Sequence, residues 1–358
     1  MYQLSQWMRS AVVAIALFPI VVVAQAQSYP PAWSKTATYA AGDEVQLNGN
    51  IVRALKPVTV AGKYVYANWE LVEVLANTTV LIGAGQTFTT LPAAWTYIQN
   101  ARVADGVFLH LYISSQHGDF EEPFSGSFSL NHASGARISL IGDSMINDSL
   151  GGGGAFPHDG LTIDSGHTFG SVSGLTIFGT QNGQGNGVKA TGNSTISLSN
   201  VQVVSFDTSV YAGNGGLVYA DDQCVFGLAD TYVIEATTHG TVDLSQGITI
   251  SNSGGDALLY AEDNGVINAP NAILNGVNGN VVGARADTGA VIELPSANIT
   301  NCAYGAEAED HGYVRVYGFT FSGNGTDLVA FDGGVVEDDA VLGTPTTKTD
   351  SGFGSIIY

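Results

Sequence analysis

The sequence predicts an all-β chain, a parallel β-helix whose coils of roughly 22–25 residues stack into a solenoid. Three observations predict it. First, Asp263-Asn264-Gly265, Asp287-Thr288-Gly289, Asp310-His311-Gly312 and Asp332-Gly333-Gly334 repeat one turn, their Asp residues 24, 23 and 22 positions apart. Second, each turn opens a short alternating run such as Val266-Ile267-Asn268-Ala269, Ala290–Leu294 or Tyr313–Val316. A second run then follows, as at Ala272-Ile273-Leu274, Ala297–Thr300 and Phe319-Thr320-Phe321. Runs of three to five residues alternating in polarity are strands, not helices. Third, the chain holds 46 Gly without a collagen period, as expected if every coil turns several corners.

Bulk properties narrow the function. Of 358 residues 45 % are hydrophobic, enough for a core, and only 12 % are charged. The 32 acids against 11 Lys and Arg give a formal charge of −21, a field that repels phosphate backbones and disfavours nucleic acid as a partner. Such acidity fits a solvated exterior and also suits divalent-cation binding. Cys224 and Cys302 lie 78 residues apart. That is about three coils, or ~14 Å at ~4.8 Å per coil, too far to bridge, so two buried free thiols are expected.

At the N-terminus, residues 1–26 read as an export signal: Arg9, then the apolar run Ala11–Ala24, then Ala24-Gln25-Ala26 with cleavage before Gln27. An uncleaved anchor is the competing reading, although the run is short for a bilayer and contains Pro19. Residues 27–75 form a small β module. Trp33, Tyr39, Gly42-Asp43-Glu44-Val45, Asn48-Gly49-Asn50-Ile51-Val52-Arg53-Ala54 and Trp69 set out three strands joined by Gly-Asp and Asn-Gly turns. This pattern resembles the chitin-binding carbohydrate modules of families five and twelve, and departs from them at Val52, where an aromatic is usual. The resemblance implies that Trp33, Tyr39 and Trp69, with Tyr64 and Tyr66, stack on sugar rings; the alternative is that the Trp residues are core.

Residues 76–341 make the β-helix. Thr90 caps a helix with Pro92 in its first turn and Leu91, Ala94, Trp95 and Ile98 on one face. Its expected role is to cover the open first coil. Strands are expected over Val107–Ile113, Ile138–Ile141, Leu161–Ile163, Leu175–Ile177, Ile196–Leu198 and Val201–Val203, with a Gly-rich loop from Gly151 to Gly160. The period blurs between Asp207 and Gly240, and residues 342–358 are a polar tail. The run Gln86–Trp95, a strand, then Gly118-Asp119-Phe120 resembles the entry to right-handed parallel β-helices of phage tail spikes and pectate-lyase-like proteins.

Chemistry is sought in a near-duplicate. Leu217–Asp222 matches Leu258–Asp263 at a distance of 41, with His239-Gly240 between them. If 41 residues make two coils, Asp221, Asp222, Glu262 and Asp263 face one another about 10 Å apart around His239. Carboxylates roughly 6.5–9.5 Å apart suit inverting glycoside hydrolysis. Asp-Asp followed by His-Gly is loosely similar to the polygalacturonase pattern, whose Asn-x-Asp and Arg-x-Lys elements are absent here. The plainer reading is that an Asp two residues before Gly caps its own turn. Asp221, Glu262, Glu307 and Glu309 fall outside that role and are candidates for sugar hydroxyls or Ca²⁺; no other cofactor is expected. P-loop, Gly-x-Ser-x-Gly, zinc and dinucleotide motifs do not occur.

Glycan recognition by a secreted, cell-surface or virion-exposed protein is therefore the leading expectation, with Tyr219, Tyr260, Tyr304 and Tyr313 stacking on sugars and acids accepting hydroxyl hydrogens. A polysaccharide hydrolase using the paired carboxylates is the second. A structural shaft or adhesin, as a homotrimer, is the third.

Overall fold

The computed structural model describes residues 29–59, 62, 64–116, 118–123, 126–151, 158–179, 185–252, 254–277, 279–339, 347–350 and 354–357. The export-signal segment lies outside them, as do most of the Gly-rich loop and the junction between the last coils and the tail.

Successive coils pair in parallel along three columns, as the period predicts. Column A runs through Thr78–Ile82, Leu109–Ile113, Ile138–Ile141, Leu217–Ala220, Thr241–Leu244, Val266–Asn268, Val291–Pro295, Tyr313–Tyr317, Val335–Asp339 and Ser355–Ile357. Column B runs through Phe120–Glu122, Asp148–Gly151, Val225–Gly227, Thr249–Ser251, Ile273–Asn275, Asn298–Thr300 and Thr320–Ser322. Thr168–Phe178 and Thr195–Val204 pass through both columns, joining them into one sheet. Column C is a separate sheet through Leu161–Ile163, Asn186–Ala190, Thr208–Gly213, Tyr232–Thr237, Ala257–Ala261, Val282–Ala286, Tyr304–Ala308 and Thr326–Ala330. The region Asp207–Gly240, whose period is blurred in the sequence, stacks as regularly as the rest.

Parallel register places like residues above like, so each column has an inner and an outer file. Column A buries Ile196, Val218, Val242, Ile267, Ile292, Val314 and Val336; column C buries Ala190, Ala212, Ala236, Ala261, Ala286, Ala308 and Ala330. The alanine file immediately precedes the C-to-A corner, and Ile163 holds the same register position in the coil before Ala190.

That corner is the repeated turn of the sequence, shifted by one residue at one coil. At eight corners among the described residues the fourth amide bonds to the first carbonyl and both central residues have positive φ, which is the type I′ arrangement. The first residues are Asp164, Thr191, Gly213, Thr237, Glu262, Asp287, Glu309 and Phe331, spaced 27, 22, 24, 25, 25, 22 and 22. Asp263, Asp310 and Asp332 are second residues with φ of 48°, 44° and 43°, whereas in the turn that Asp287 begins the second residue is Thr288 at 46°. Asp287 therefore aligns with Glu262 and Glu309, a correction to the sequence register. What the turn demands is two residues able to sit in the left-handed region, which Asp, Asn and Gly do at low cost.

Residues 29–75 hold three antiparallel strands, Glu44–Leu47, Asn50–Ala54 and Trp69–Val74. Arg102–Val103 adds a fourth strand, parallel to Trp69–Val74. Between them lies α1, Leu91–Ile98, with Thr90 accepting from the Ala93 amide and Leu91, Ala94, Tyr97 and Ile98 buried. Trp95, assigned to the buried face by sequence, is only half-buried; Tyr97 takes its place. The buried side chains of this sheet, α1 and the solenoid interior form one continuous cluster, and Ala257, Tyr260 and Val282 form a smaller one outside it.

Candidate functional site

The outer file of column C carries a ladder of charged and aromatic side chains. Strand pairing aligns Lys189, Tyr211, Glu235, Tyr260, Arg285 and Glu307, one per coil. These lie two residues before the first residue of each I′ turn, so alternation points them outward, away from the alanine file. Charged and aromatic groups thus succeed one another up the stack.

The contacts interlock. The Tyr232 and Tyr260 rings stack at 4.2 Å and 16°, the former leaning over Ala257, whose small side chain leaves the space. Arg285 lies 6.0 Å above the Tyr260 ring and pairs with Glu309, with Glu307 3.9 Å from its Nε. Lys189 pairs with Asp159 at 3.0 Å and approaches the Tyr211 ring at 5.6 Å. Thr208 donates to Glu235 at 3.0 Å, and Glu262 accepts from the Tyr260 hydroxyl at 2.8 Å and from the Thr237 hydroxyl at 3.3 Å.

Burial gives these groups unusual acidities. It pushes Glu235 up to about 7 against the Thr208 hydrogen bond, and the charges of Glu262 and Asp207 add to the rise. Burial likewise raises Glu307, offset in part by Arg285, and lifts the Tyr232 phenol to about 12. Tyr260 rises further, from burial and from its hydrogen bond to the Glu262 carboxylate. The file therefore holds a carboxyl that changes charge near neutrality, beside phenols that stay protonated.

The near-duplicate does not assemble. Leu217–Ala220 belongs to column A and Leu258–Ala261 to column C, because the 41 residues cover one full coil plus the passage from one column to another. Asp221 and Asp222 thus follow a column A strand, away from Glu262, Asp263 and His239 at the C-to-A corners. Asp221 is a turn-capping residue: its Oδ1 accepts the Asn200 and Gln223 amides and the Cys224 thiol. Burial opposes its ionisation, but these bonds and one from Ser199 outweigh it and hold the carboxyl below its ordinary value. Asp222, Asp263 and His239 are exposed turn residues, His239 in the left-handed region at φ 63°. Of the predicted acids, Glu262, Glu307 and Glu309 do share the column C face.

The predicted tyrosines divide in the same way. Tyr260 and Tyr304 are on column C; Tyr219 and Tyr313 are on column A, where Tyr219, Asp221 and Asp243 line a shallow groove of about 360 Å³. In the N-terminal sheet Trp69 is core, 2 % exposed and stacked on Tyr64 at 5.4 Å. Half-buried Trp33 and Tyr39 pack edge-on to Tyr64 and Trp69 and, with them, line a cavity of about 360 Å³.

Sequence reasoning missed Glu235, Tyr232, Tyr211 and the alignment of Lys189 and Arg285. The available signal was the position two residues before each I′ turn, obscured by aligning coils on Asp rather than on the turn. Both cysteines are buried free thiols, as expected, and burial pushes Cys224 up to about 12 and Cys302 to about 11. Among the described residues no three His, Cys, Asp or Glu side chains converge as a metal site, and no helix is long and apolar enough to cross a membrane.

The chain is a parallel β-solenoid. No family model, curated protein or solved structure matches it.

Proposed function

We propose that this chain recognises a glycan and that the outer file of column C is where it does so. The observation carrying the reading is the interlocked ladder Tyr211, Tyr232, Glu235, Tyr260, Glu262 and Arg285 on consecutive coils. Aromatic faces suit the apolar faces of sugar rings, and carboxylates accept hydroxyl hydrogens. Tyr260 is 7 % exposed and acts as the platform beneath Tyr232; Tyr232 and Tyr304 are the rings open to a ligand. Trp33 and Tyr39 of the N-terminal sheet, read as a carbohydrate module, supply a second aromatic contact. The wider assignment is a right-handed β-helix of the tail-spike or pectate-lyase-like type, exported to the cell surface or virion, with α1 capping its first coil.

Glycan arrays and pull-downs against chitin, capsule and lipopolysaccharide test the reading. Binding is expected, weakened about tenfold in Tyr232→Ala or Tyr304→Ala, a loss of about 1.4 kcal/mol. Empty arrays, or affinity unchanged in both variants, would refute it.

A hydrolase is the second reading, favoured by one observation: Glu235, held near 7 by burial, has the charge of Glu262 beside it. A protonated acid beside an ionised one is the requirement for protonating a glycosidic oxygen while a second carboxylate activates water. New reducing ends should then appear from a polysaccharide, decline above pH about 7 as Glu235 ionises, and vanish in Glu235→Gln and Glu262→Gln. Cleavage retained in both variants would remove the assignment.

A further inference from the structure

Charge is distributed unevenly around the coil: the column B strands from Gln202 onward have none, whereas the first coil places Glu121 on the same file, below Ser149, Thr176 and Gln202. The segments 190–206, 223–229, 244–255, 264–284, 294–306 and 316–326 contain no Asp, Glu, Lys or Arg, although the whole chain carries −21. Each covers the column B strand of its coil, with Asp221, Asp222, Asp230 and Asp256 at the flanking corners. Strand pairing brings these segments together as two outward files, Gln202, Val225, Thr249, Ile273, Asn298 and Thr320 in one, Ser251, Asn275, Thr300 and Ser322 in the other. Val225 and Ile273 are 45 % and 41 % exposed on the first file, and Leu228 and Val277 are 60 % and 52 % exposed at the adjoining B-to-C corner.

We propose that column B is the surface through which one copy of this chain binds a second. Two copies, each at −21, repel one another wherever acids meet. Contact through the column B strands from Gln202 to Ser322 buries no strand charge, so it avoids the desolvation cost that columns A and C would impose. Depletion of charge at the centre with aliphatic side chains left exposed is the composition of an interface core. The partner is another copy because a charge-free face is the one place where so acidic a chain can approach itself. This surface is separate from the column C ladder, so either assignment stands or falls without the other.

Sedimentation equilibrium of the full chain across protein concentration and salt tests the proposal. Association is expected, and salt should strengthen it by screening the repulsion between the acidic faces. Val225→Lys combined with Ile273→Lys should weaken it by roughly tenfold or more, and Thr249→Lys alone should weaken it in the same direction. Leu81→Lys, an exposed position on column A, should leave it unchanged. Circular dichroism checks that each variant keeps its β spectrum, and Thr249→Lys serves if the double variant unfolds. A chain that stays monomeric, association that salt weakens, or association indifferent to all column B variants would overturn the proposal. So would a monomer that uses Ile273 to hold a neutral polysaccharide.

Discussion

Glu235 shows how the fold sets a single residue's chemistry. In the unfolded chain its carboxyl titrates in the ordinary range, whereas in the fold burial lifts it to about 7. Between these values the native state holds a proton that the unfolded state has lost, so this group's contribution to stability falls as pH rises from about 4.5 to 7. Thermal midpoints measured over that window should decline less steeply in Glu235→Gln than in the parent. Glycine supplies a second residue-scale test. A Cβ on Gly265 would lie 2.0 Å from the Ala236 carbonyl oxygen of the coil before, whereas one on Gly247 meets nothing within 4 Å and faces only the strain of φ +84°. In urea titrations Gly265→Ala should cost about 1–3 kcal/mol and Gly247→Ala about 1 kcal/mol. The sequence reveals that glycines mark corners; which of them answer to a neighbouring carbonyl emerges only from the stacking of coils.

At the scale of elements, α1 and the strands were readable for different reasons. The helix announces itself by Thr90 and Pro92, and the cap is present, Thr90 accepting from Ala93. Thr90→Ala should destabilise by about 1 kcal/mol in the same titration, through the loss of that bond. Its buried face was less legible, because Tyr97 rather than Trp95 fills the space beside Phe88 and Tyr66. The strands were legible from alternation, their columns were not. Leu217–Ala220 and Leu258–Ala261 read almost alike and occupy different sheets, since four-residue alternation fits any face of a solenoid. Column membership shows in core substitutions: Leu259→Ala, fully buried in column C, should cost about 2–5 kcal/mol.

Over the whole molecule, each coil touches mainly the coils before and after it, and stability is close to a sum of neighbouring interfaces. Hydrogen exchange should accordingly be slowest in the central coils, around Tyr232–Thr237 and Ala257–Ala261, and fastest at Ser355–Ile357, which among the described residues has a register with one strand only, Val335–Asp339. Uniform protection from end to end would argue for a single cooperative unit instead. The division of charge is also a whole-molecule property. From Gln202 onward the strands of columns A and C carry charge and those of column B carry none, and the two proposed contacts, one with glycan and one with a second copy, accordingly fall on different faces.

By itself the sequence determined that the chain coils, how long a coil is and where its tight corners fall, because turn residues and alternating runs are local properties that repeat. Tertiary structure alone decided which residues share a face. A slip of one residue at Asp287, or a passage from column A to column C, leaves local pattern intact yet moves a side chain to another neighbourhood. Proximity across coils depends on accumulated register, a sum over the whole path of the chain, and no short stretch of residues encodes that sum.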